Sequence, residues 1–349
     1  MSSAVSNPGA LTWSELIAQP DAWDALLKRL GNRGDFPRID LSTYDEVVLV
    51  GSGTSYYLAM AVGDWIKRRH TVPLRAVPSC EVMLDDYETR PRKGKRLAIG
   101  FSRSGESSEL VLAIEALKRA GFEVLSIGCT ENSSLLKLGD HVIHVHEGFE
   151  DGLVMLRSFT SMMLVAQVLF GDASDEAALR KLPDAARAIL RDKDSALKAL
   201  ARKRNFNRFV FLASGSSYPI AVEAGLKVQE MAIATSETYH SLEYRHGPKA
   251  TADRDTLVTL FALSDKHHGL SLARDLKALG VTLLVVGKGA EDYSDVADLV
   301  VPAPSGMSEG QASALALLPI QIMAFETAMR RGANPDAPAN LSKVVIFSR

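Results

Sequence analysis

The sequence predicts an α/β protein built as two tandem, doubly wound parallel sheets. Three observations carry that prediction. Val47-Val-Leu-Val-Gly-Ser-Gly-Thr-Ser-Tyr-Tyr-Leu-Ala59 returns as Phe209-Val-Phe-Leu-Ala-Ser-Gly-Ser-Ser-Tyr-Pro-Ile-Ala221, each an apolar run that breaks into a Gly/Ser/Thr turn and then a helix-like segment. Further landmarks recur in the same order: Leu97–Phe101 and Leu257–Phe261, Ala116–Gly121 and Asp275–Gly280, Gly139–Ile143 and Ala297–Val301. Matching order at nearly constant spacing indicates two copies of one domain. Within each copy, short apolar runs alternate with helix-length segments, the pattern of a parallel sheet with right-handed crossovers.

Taken in order, residues 1–10 read as a loose leader, and Thr12-Trp-Ser-Glu15 resembles a helix cap before Leu16, Ile17, Trp23, Leu26, Leu27 and Leu30. Gly31 and Gly34 punctuate a loop. The first copy has strands near 46–51, 73–77, 96–101, 122–128 and 141–146, alternating with helices at 55–69, 79–85 and 107–120. Leu153 to Phe170 reads as one long helix, and the Ala/Lys/Arg/Asp-rich run from Ala173 to Lys203 as a helical link. The second copy has strands near 208–213, 257–261, 281–286 and 298–302, then a helix over about 309–331. The expected organisation is an N-terminal helix and loop over 1–34, a first domain over 35–172, a linker helix over 173–203, a second domain over 204–331 and a tail over 332–349.

Composition narrows the function. With 349 residues, 46% hydrophobic and 23% charged, the chain is an ordinary globular protein large enough for two cores. Its 40 basic and 42 acidic residues give a net charge of −2, which offers no electrostatic case for nucleic acid or an anionic membrane as partner. Cys80 and Cys129 have neither metal-ligand spacing nor a disulfide framework, as expected of a reducing cytoplasm. The N-terminus lacks the pattern of a secretory signal. The apolar stretch from Ala312 to Phe325 is too short to span a bilayer and reads as a late core helix.

A buried strand that ends in a Gly/Ser/Thr turn presents backbone N–H groups and hydroxyls at a helix N-terminus, where an anion is favoured. Gly51-Ser-Gly-Thr-Ser-Tyr56 begins like a dinucleotide fingerprint, but Tyr56 stands in place of the third glycine. No acid follows where a ribose would need one, since His70 to Ala76 contains none. A nicotinamide cofactor is therefore not expected, and neither a nucleotide P-loop nor a nucleophile elbow is present. Ser102-Arg-Ser-Gly-Glu-Ser-Ser108 is sharper. Hydroxyls at Ser102, Ser104 and Ser107, with the free N–H groups of the following helix, can surround a phosphate. Serines that merely cap the helix are the plainer alternative. The second copy reads Ala262-Leu-Ser-Asp-Lys266 at that place, so it is expected to have lost the phosphate site.

The second copy carries titratable groups instead. Glu223, Lys227 and Glu230 share one helix face by their spacings of four and three, and Glu243-Tyr-Arg-His-Gly-Pro248 comes shortly after. A solvated ion pair is the default for Glu223 and Lys227 alone. His141, His144 and His146 lie on an expected strand where only the last two share a face, so a structural role is favoured over a metal.

At these residues the chain resembles the sugar isomerase (SIS) family in its tandem arrangement, as in the isomerase half of glucosamine-6-phosphate synthase and the stand-alone amino-sugar-phosphate deaminase/isomerases. The resemblance runs from about residue 40 to the C-terminus. It rests on Gly53-Thr-Ser55, Ser102-Arg-Ser-Gly-Glu106, Ser158-Phe-Thr160, Glu230, His246-Gly-Pro248 and Asn340-Leu-Ser-Lys343. It implies two flavodoxin-like SIS domains, a sugar 6-phosphate as substrate and no cofactor. By family position the phosphate falls to Thr54, Ser55, Ser102, Ser104 and Ser107, with Arg103 where glutamine is common. The base that moves a proton between C1 and C2 falls on Glu230, with Lys227 one turn earlier. Ring opening falls on His246, which in the family reaches into the neighbouring subunit's site, so a homodimer is implied. The lysine that closes over the sugar falls on Lys343.

The chain departs from the synthase in two respects. It lacks the glutaminase domain, so glutamine-dependent synthesis by this polypeptide alone is not expected. Gly152-Leu-Val-Met-Leu-Arg157 is more apolar than the hydroxyl-bearing segment the synthase places beside its sugar, which leaves the sugar's identity open. The expected activity is a glucosamine-6-phosphate-type deaminase/isomerase. A fructosamine-6-phosphate deglycase and a phosphosugar sensor that binds without turnover are the alternatives. The expected division of labour is a phosphate cradle from the first copy and an acid/base pair from the second, in one composite site completed by a neighbour.

Overall fold

The computed structural model describes residues 7–31 and 36–347. In chain order its helices and strands are α1 (Ala10–Ile17), α2 (Gln19–Leu30), β1 (Glu46–Gly51), α3 (Thr54–Lys67), β2 (Leu74–Pro78), α4 (Ser79–Leu84), β3 (Arg96–Ser102), α5 (Ser108–Arg119), β4 (Phe122–Gly128), α6 (Ser134–Leu138), β5 (His141–His144), α7 (Arg157–Phe170), α8 (Ala173–Leu179), α9 (Leu182–Asp192), α10 (Asp194–Arg202), β6 (Arg208–Ala213), α11 (Tyr218–Ala232), β7 (Ser236–His240), β8 (Thr256–Phe261), α12 (Lys266–Ala278), β9 (Thr282–Gly287), β10 (Leu299–Pro302) and α13 (Ser313–Arg330). They form two compact units. The first holds the chain from Asp21 to Glu150, residues 155–180 and the tail from Ser342. The second holds the N-terminal segment up to Pro20, residues 151–154 and residues 181–341.

The first unit is a parallel sheet of order β2-β1-β3-β4-β5. Val48, Val50, Ala98 and Val124 lie on one face against Leu110, Ala113, Ile114 and Leu117 of α5 and Leu135 of α6. Alternation turns Val47 and Leu49 to the other face, where α3 packs on β1 and β2 and α7 packs on α3. Burial on both faces is why β1 and β3 read as unbroken apolar runs. Each such Val or Leu contributes about 1.5–3 kcal/mol relative to an exposed one.

The second unit repeats the architecture in the order β7-β6-β8-β9-β10, again all parallel. Val210, Leu212, Val258, Leu260 and Val285 meet Leu272 and Leu276 of α12 on one face. On the other, α11 lies against β6 and β7 and packs on α13. In both sheets the order reverses beside the first strand of the copy, between β1 and β3 and between β6 and β8. Open α/β sheets bind ligands outside the carboxyl ends of the strands at such a switch point.

Four expectations change. The second sheet has a fifth strand, β7, which escapes a reading by hydrophobicity because Ser236-Glu-Thr-Tyr-His240 is a polar, half-exposed edge. The helix expected over 153–170 starts only at Arg157, since Leu156 leaves helical geometry at φ −123°, ψ −80°. The helical link over 173–203 is three helices, α8 to α10. The cap expected at Thr12–Glu15 lies inside α1, where the Thr12 hydroxyl donates to Asp336 and the Glu15 carboxylate accepts from the N–H of Asp151 and of Gly152. Residues 1–6 of the expected leader and Gly34 lie outside the described residues, whereas Gly9 is anchored by its N–H to Asn334. Among the described residues no helix is long and apolar enough to cross a membrane.

Candidate functional site

In the first unit the two Ser-rich turns follow adjacent parallel strands, β1 and β3. Gly53 enters α3 at φ +54°, a left-handed geometry that suits glycine and that Gly215 repeats at φ +58° before α11. Thr54 and Ser55 are the first residues of α3 and are buried. In the second turn, Ser102 is buried and its hydroxyl accepts from the N–H of Gly105 at 2.8 Å. Gly105 is at φ +69°, and a Cβ there would stand 2.2 Å from the Ser133 hydroxyl. The Ser104 hydroxyl accepts from the N–H of Glu106 at 3.3 Å.

Ser107 bears on the two readings of this turn. It occupies the N-cap of α5 yet makes no side-chain cap, so capping does not account for it. The N-termini of α3 and α5 each carry roughly half a positive charge. With the hydroxyls around them, they form a candidate cradle for a phosphate.

The C-terminal tail belongs to this same unit. The N–H of Ser108 donates to the Val345 carbonyl at 3.1 Å, and the N–H of Phe347 donates to the Ser108 hydroxyl at 3.0 Å. Lys343 Nζ donates to the Glu150 carbonyl at 3.3 Å and lies 5.8 Å from the centre of the Phe149 ring. Arg103 is 5% exposed, and its Nη2 donates to the Lys343 carbonyl at 3.3 Å. Thr54, Ser55, the 102–107 turn and Lys343 thus share the first unit, while Lys227, Glu230 and His246 lie in the second.

On α11, Lys227 is fully buried, and its ammonium lies 3.2 Å from the Glu223 carboxylate and hydrogen-bonds the Glu230 carboxylate. Glu223 is also fully buried, so the solvated pair taken as the default for it does not form. Glu230 keeps 15% of its side chain exposed. Burial acts to lower the Lys227 pKa, but the charges of Glu223 and Glu230 outweigh it and hold the ammonium above the ordinary lysine value of 10.5. The Lys227 ammonium thus sits hydrogen-bonded beside the Glu230 carboxylate, a positioned acid/base candidate. His246 follows the 3-10 turn Glu243–Arg245, is exposed, and hydrogen-bonds through its main-chain N–H to Glu243.

The three histidines near β5 take different partners, although the His144 and His146 rings lie 5.7 Å apart. His141 bonds Glu123, His144 Nε2 meets the Cys129 carbonyl at 3.2 Å, and His146 has left the expected strand for a 3-10 turn. Among the described residues no group of three or more His, Cys, Asp or Glu could hold a metal ion. Burial pushes the Cys129 thiol well up, so it is no thiolate nucleophile.

Sequence reasoning did not single out Glu150. Its fully buried carboxylate accepts from the N–H of Leu156 at 3.0 Å and of Arg157 at 3.0 Å and from the Ser158 hydroxyl, which caps α7. The cap comes from seven residues before the helix, outside the short spacings by which caps are recognised. The only signal was an acid upstream of Ser158-Phe-Thr160.

Comparison with known proteins identifies the family and the fold. The SIS domain profile matches residues 40–171 and 204–330. The glutamine–fructose-6-phosphate aminotransferase of Pyrobaculum aerophilum is 29% identical over 312 residues, covering 86% of this chain and 51% of that protein. Its counterpart in Pyrococcus horikoshii is 28% identical over 346 residues, covering 95% and 56%. The chain thus spans about half the length of the curated relatives it matches. Among solved structures, glucosamine-6-phosphate deaminase from Thermotoga maritima superposes with a TM-score of 0.79 at 28% identity, covering 97% of this chain and 100% of that one. Tagatose-6-phosphate ketose/aldose isomerase from Escherichia coli gives 0.84 at 23% identity, covering 96% and 99%, a likeness of fold.

Proposed function

This chain belongs to the SIS domain family, and from that premise we propose that it is a phosphosugar isomerase that deaminates an amino-sugar 6-phosphate of the glucosamine type, releasing ketose 6-phosphate and ammonia. The observation that carries the reading is the α11 triad, a buried Lys227 between two carboxylates of which Glu230 alone keeps solvent exposure. Catalysis by proton transfer needs such a base, positioned and accessible.

In this reading Ser102, Ser104, Ser107, Thr54 and Ser55 hold the phosphate, and Lys343 on the tail closes over the sugar. His246 assists ring opening by moving a proton between the anomeric hydroxyl and the ring oxygen. Glu230 then takes the proton from C2 of the open-chain aldehyde and returns it to C1. The 2-amino group leaves an enolamine that becomes a C2 imine. One water adds to the imine and ammonia departs, so that amino-sugar phosphate plus water gives ketose phosphate plus ammonia. The Thermotoga maritima protein, alike over its whole length, is a glucosamine-6-phosphate deaminase and supports this substrate class.

The exposed His246 supports its acting on a second copy, so we place the activity in a homodimer. The free cysteines suit the cytoplasm in which we place it. Ammonia and ketose phosphate are to be measured across a panel of amino-sugar and hydroxyl-sugar 6-phosphates, with Glu230→Gln as control. Ketose without ammonia from hydroxyl sugars would leave a plain isomerase, and no turnover on any member would end the proposal. Mixing inactive His246→Ala and Glu230→Gln proteins restores activity if His246 works across subunits, and leaves both dead if it does not.

A further inference from the structure

Lys343 is held at both ends by two residues that face each other. Its ammonium donates to the main-chain carbonyl of Glu150, and its own carbonyl accepts from Arg103 Nη2, both at 3.3 Å. Arg103 Nη1 stands 3.9 Å from Glu150 Oε1, which closes a ring of three residues. Arg103 and Glu150 are 5% and 0% exposed. Lys343 itself lies on an exposed tail whose carbonyl at Val345 accepts from Ser108, at the start of α5.

The Glu150 side chain folds forward onto the N–H groups of Leu156 and Arg157, so one residue both caps α7 and presents its carbonyl to the lysine. Its buried charge is offset by the helix N-terminus and by Arg103. Arg103 reaches the carboxylate and the tail carbonyl from one planar fork, a geometry that lysine lacks. Glutamine has no charge to set against Glu150.

We propose that Arg103 and Glu150 are positioning residues that seat Lys343, and with it the tail, against the Ser102–Ser107 turn. Arg103 therefore acts on the tail apart from any contact with phosphate. This rests on the phosphosugar reading only for its kinetic consequence, because the seating of the tail is readable without substrate.

The test is tryptic release of the peptide that follows Lys343 from the folded, ligand-free protein, followed by mass. Where cleavage follows the open population, losing one charge-assisted hydrogen bond speeds release by about tenfold. Arg103→Gln and Arg103→Lys are both expected to show this, and Arg103→Gln/Glu150→Gln no more than the faster single variant, because the contacts form one ring. Ser158→Ala, which loses only a bond to the α7 cap, lowers the thermal midpoint and leaves release unchanged. With substrate, Arg103→Gln lowers kcat more than it raises KM. Unchanged release in Arg103→Gln overturns the proposal, as does equal acceleration in Ser158→Ala, which would reduce the ring to general stability. Absence of any turnover would sink the phosphosugar reading while leaving the release result standing.

Discussion

The N-termini of α5 and α12 occupy the same place in the two copies of the sheet and are finished in opposite ways. At α5 the N-cap is Ser107, whose hydroxyl makes no cap. At α12 it is Asp265, which accepts from the N–H of His268 at 3.0 Å and lies 2.9 Å from the His268 ring. The bond from the His268 N–H, above all, holds the Asp265 carboxyl below its ordinary range. The second copy thus supplies its own anion where the first has none from its N-cap. Duplication preserved the backbone, and one N-cap residue suffices to separate a candidate phosphate cradle from a closed helix end.

The titratable groups are divided the other way. Lys227, Glu223 and Glu230 follow the Ser214–Ser217 turn on α11, while the corresponding helix α3 reads Thr-Ser-Tyr-Tyr-Leu-Ala-Met-Ala-Val-Gly-Asp-Trp-Ile-Lys and has Trp65 and Ile66 fully inside. One copy carries its distinctive polar groups in its turns and the other on its helix face.

The sharpest way to break this comparison is Glu230→Gln. It is expected to slow C1–C2 proton exchange by about 10²- to 10⁴-fold, the usual share of a general base, while thermal stabilisation by a sugar 6-phosphate persists. Loss of that stabilisation would mean that Glu230 serves binding and not proton transfer. Next comes Lys227→Met. It leaves Glu223 buried without its cation and costs about 3–5 kcal/mol, read as a lowered denaturant midpoint; a change under about 0.5 kcal/mol, the size of an ordinary surface substitution, would show that the triad carries no strain.

Smaller effects separate the two helix ends. Ser104→Ala/Ser107→Ala should leave the unfolding midpoint of the free protein within a degree or two, since neither hydroxyl caps α5, and should remove the midpoint shift that a sugar phosphate produces. Asp265→Ala should do the reverse, lowering the midpoint of the free protein as other lost caps do without changing that shift. If both variants weaken phosphate binding, the cradle is not confined to the first copy.

The smallest effect is in pH. A lysine whose pKa is raised on folding contributes stability that is fully present below 10.5 and is lost only as pH rises through the folded value. The Lys227 contribution is therefore flat from pH 7 to 9. A difference between wild type and Lys227→Met that shrinks over that interval would show the ammonium to be less firmly held.

Much of this was legible in the chain. Of the five strands of the first copy, β1, β3 and β4 were readable as apolar runs because they are buried on both faces, while the edges β2 and β5 were read from the alternation with helices. β7 was hidden because an edge strand needs no apolar run; Tyr239 and its neighbours look like loop. Glu223 looked like half of a surface pair because a spacing of four fixes a shared helix face and says nothing of what covers it.

The sequence by itself determined the duplication, the parallel α/β class and the order of the turns, because these come from hydrophobic period and local turn chemistry. Only the tertiary structure decided which carboxylates are buried, that the Ser107 side chain makes no cap on α5 while Asp265 caps α12, and that residues 342–347 belong with the first copy, where Arg103 and Glu150 hold Lys343. Those outcomes depend on contacts between residues up to 240 positions apart, and no local pattern records such a contact.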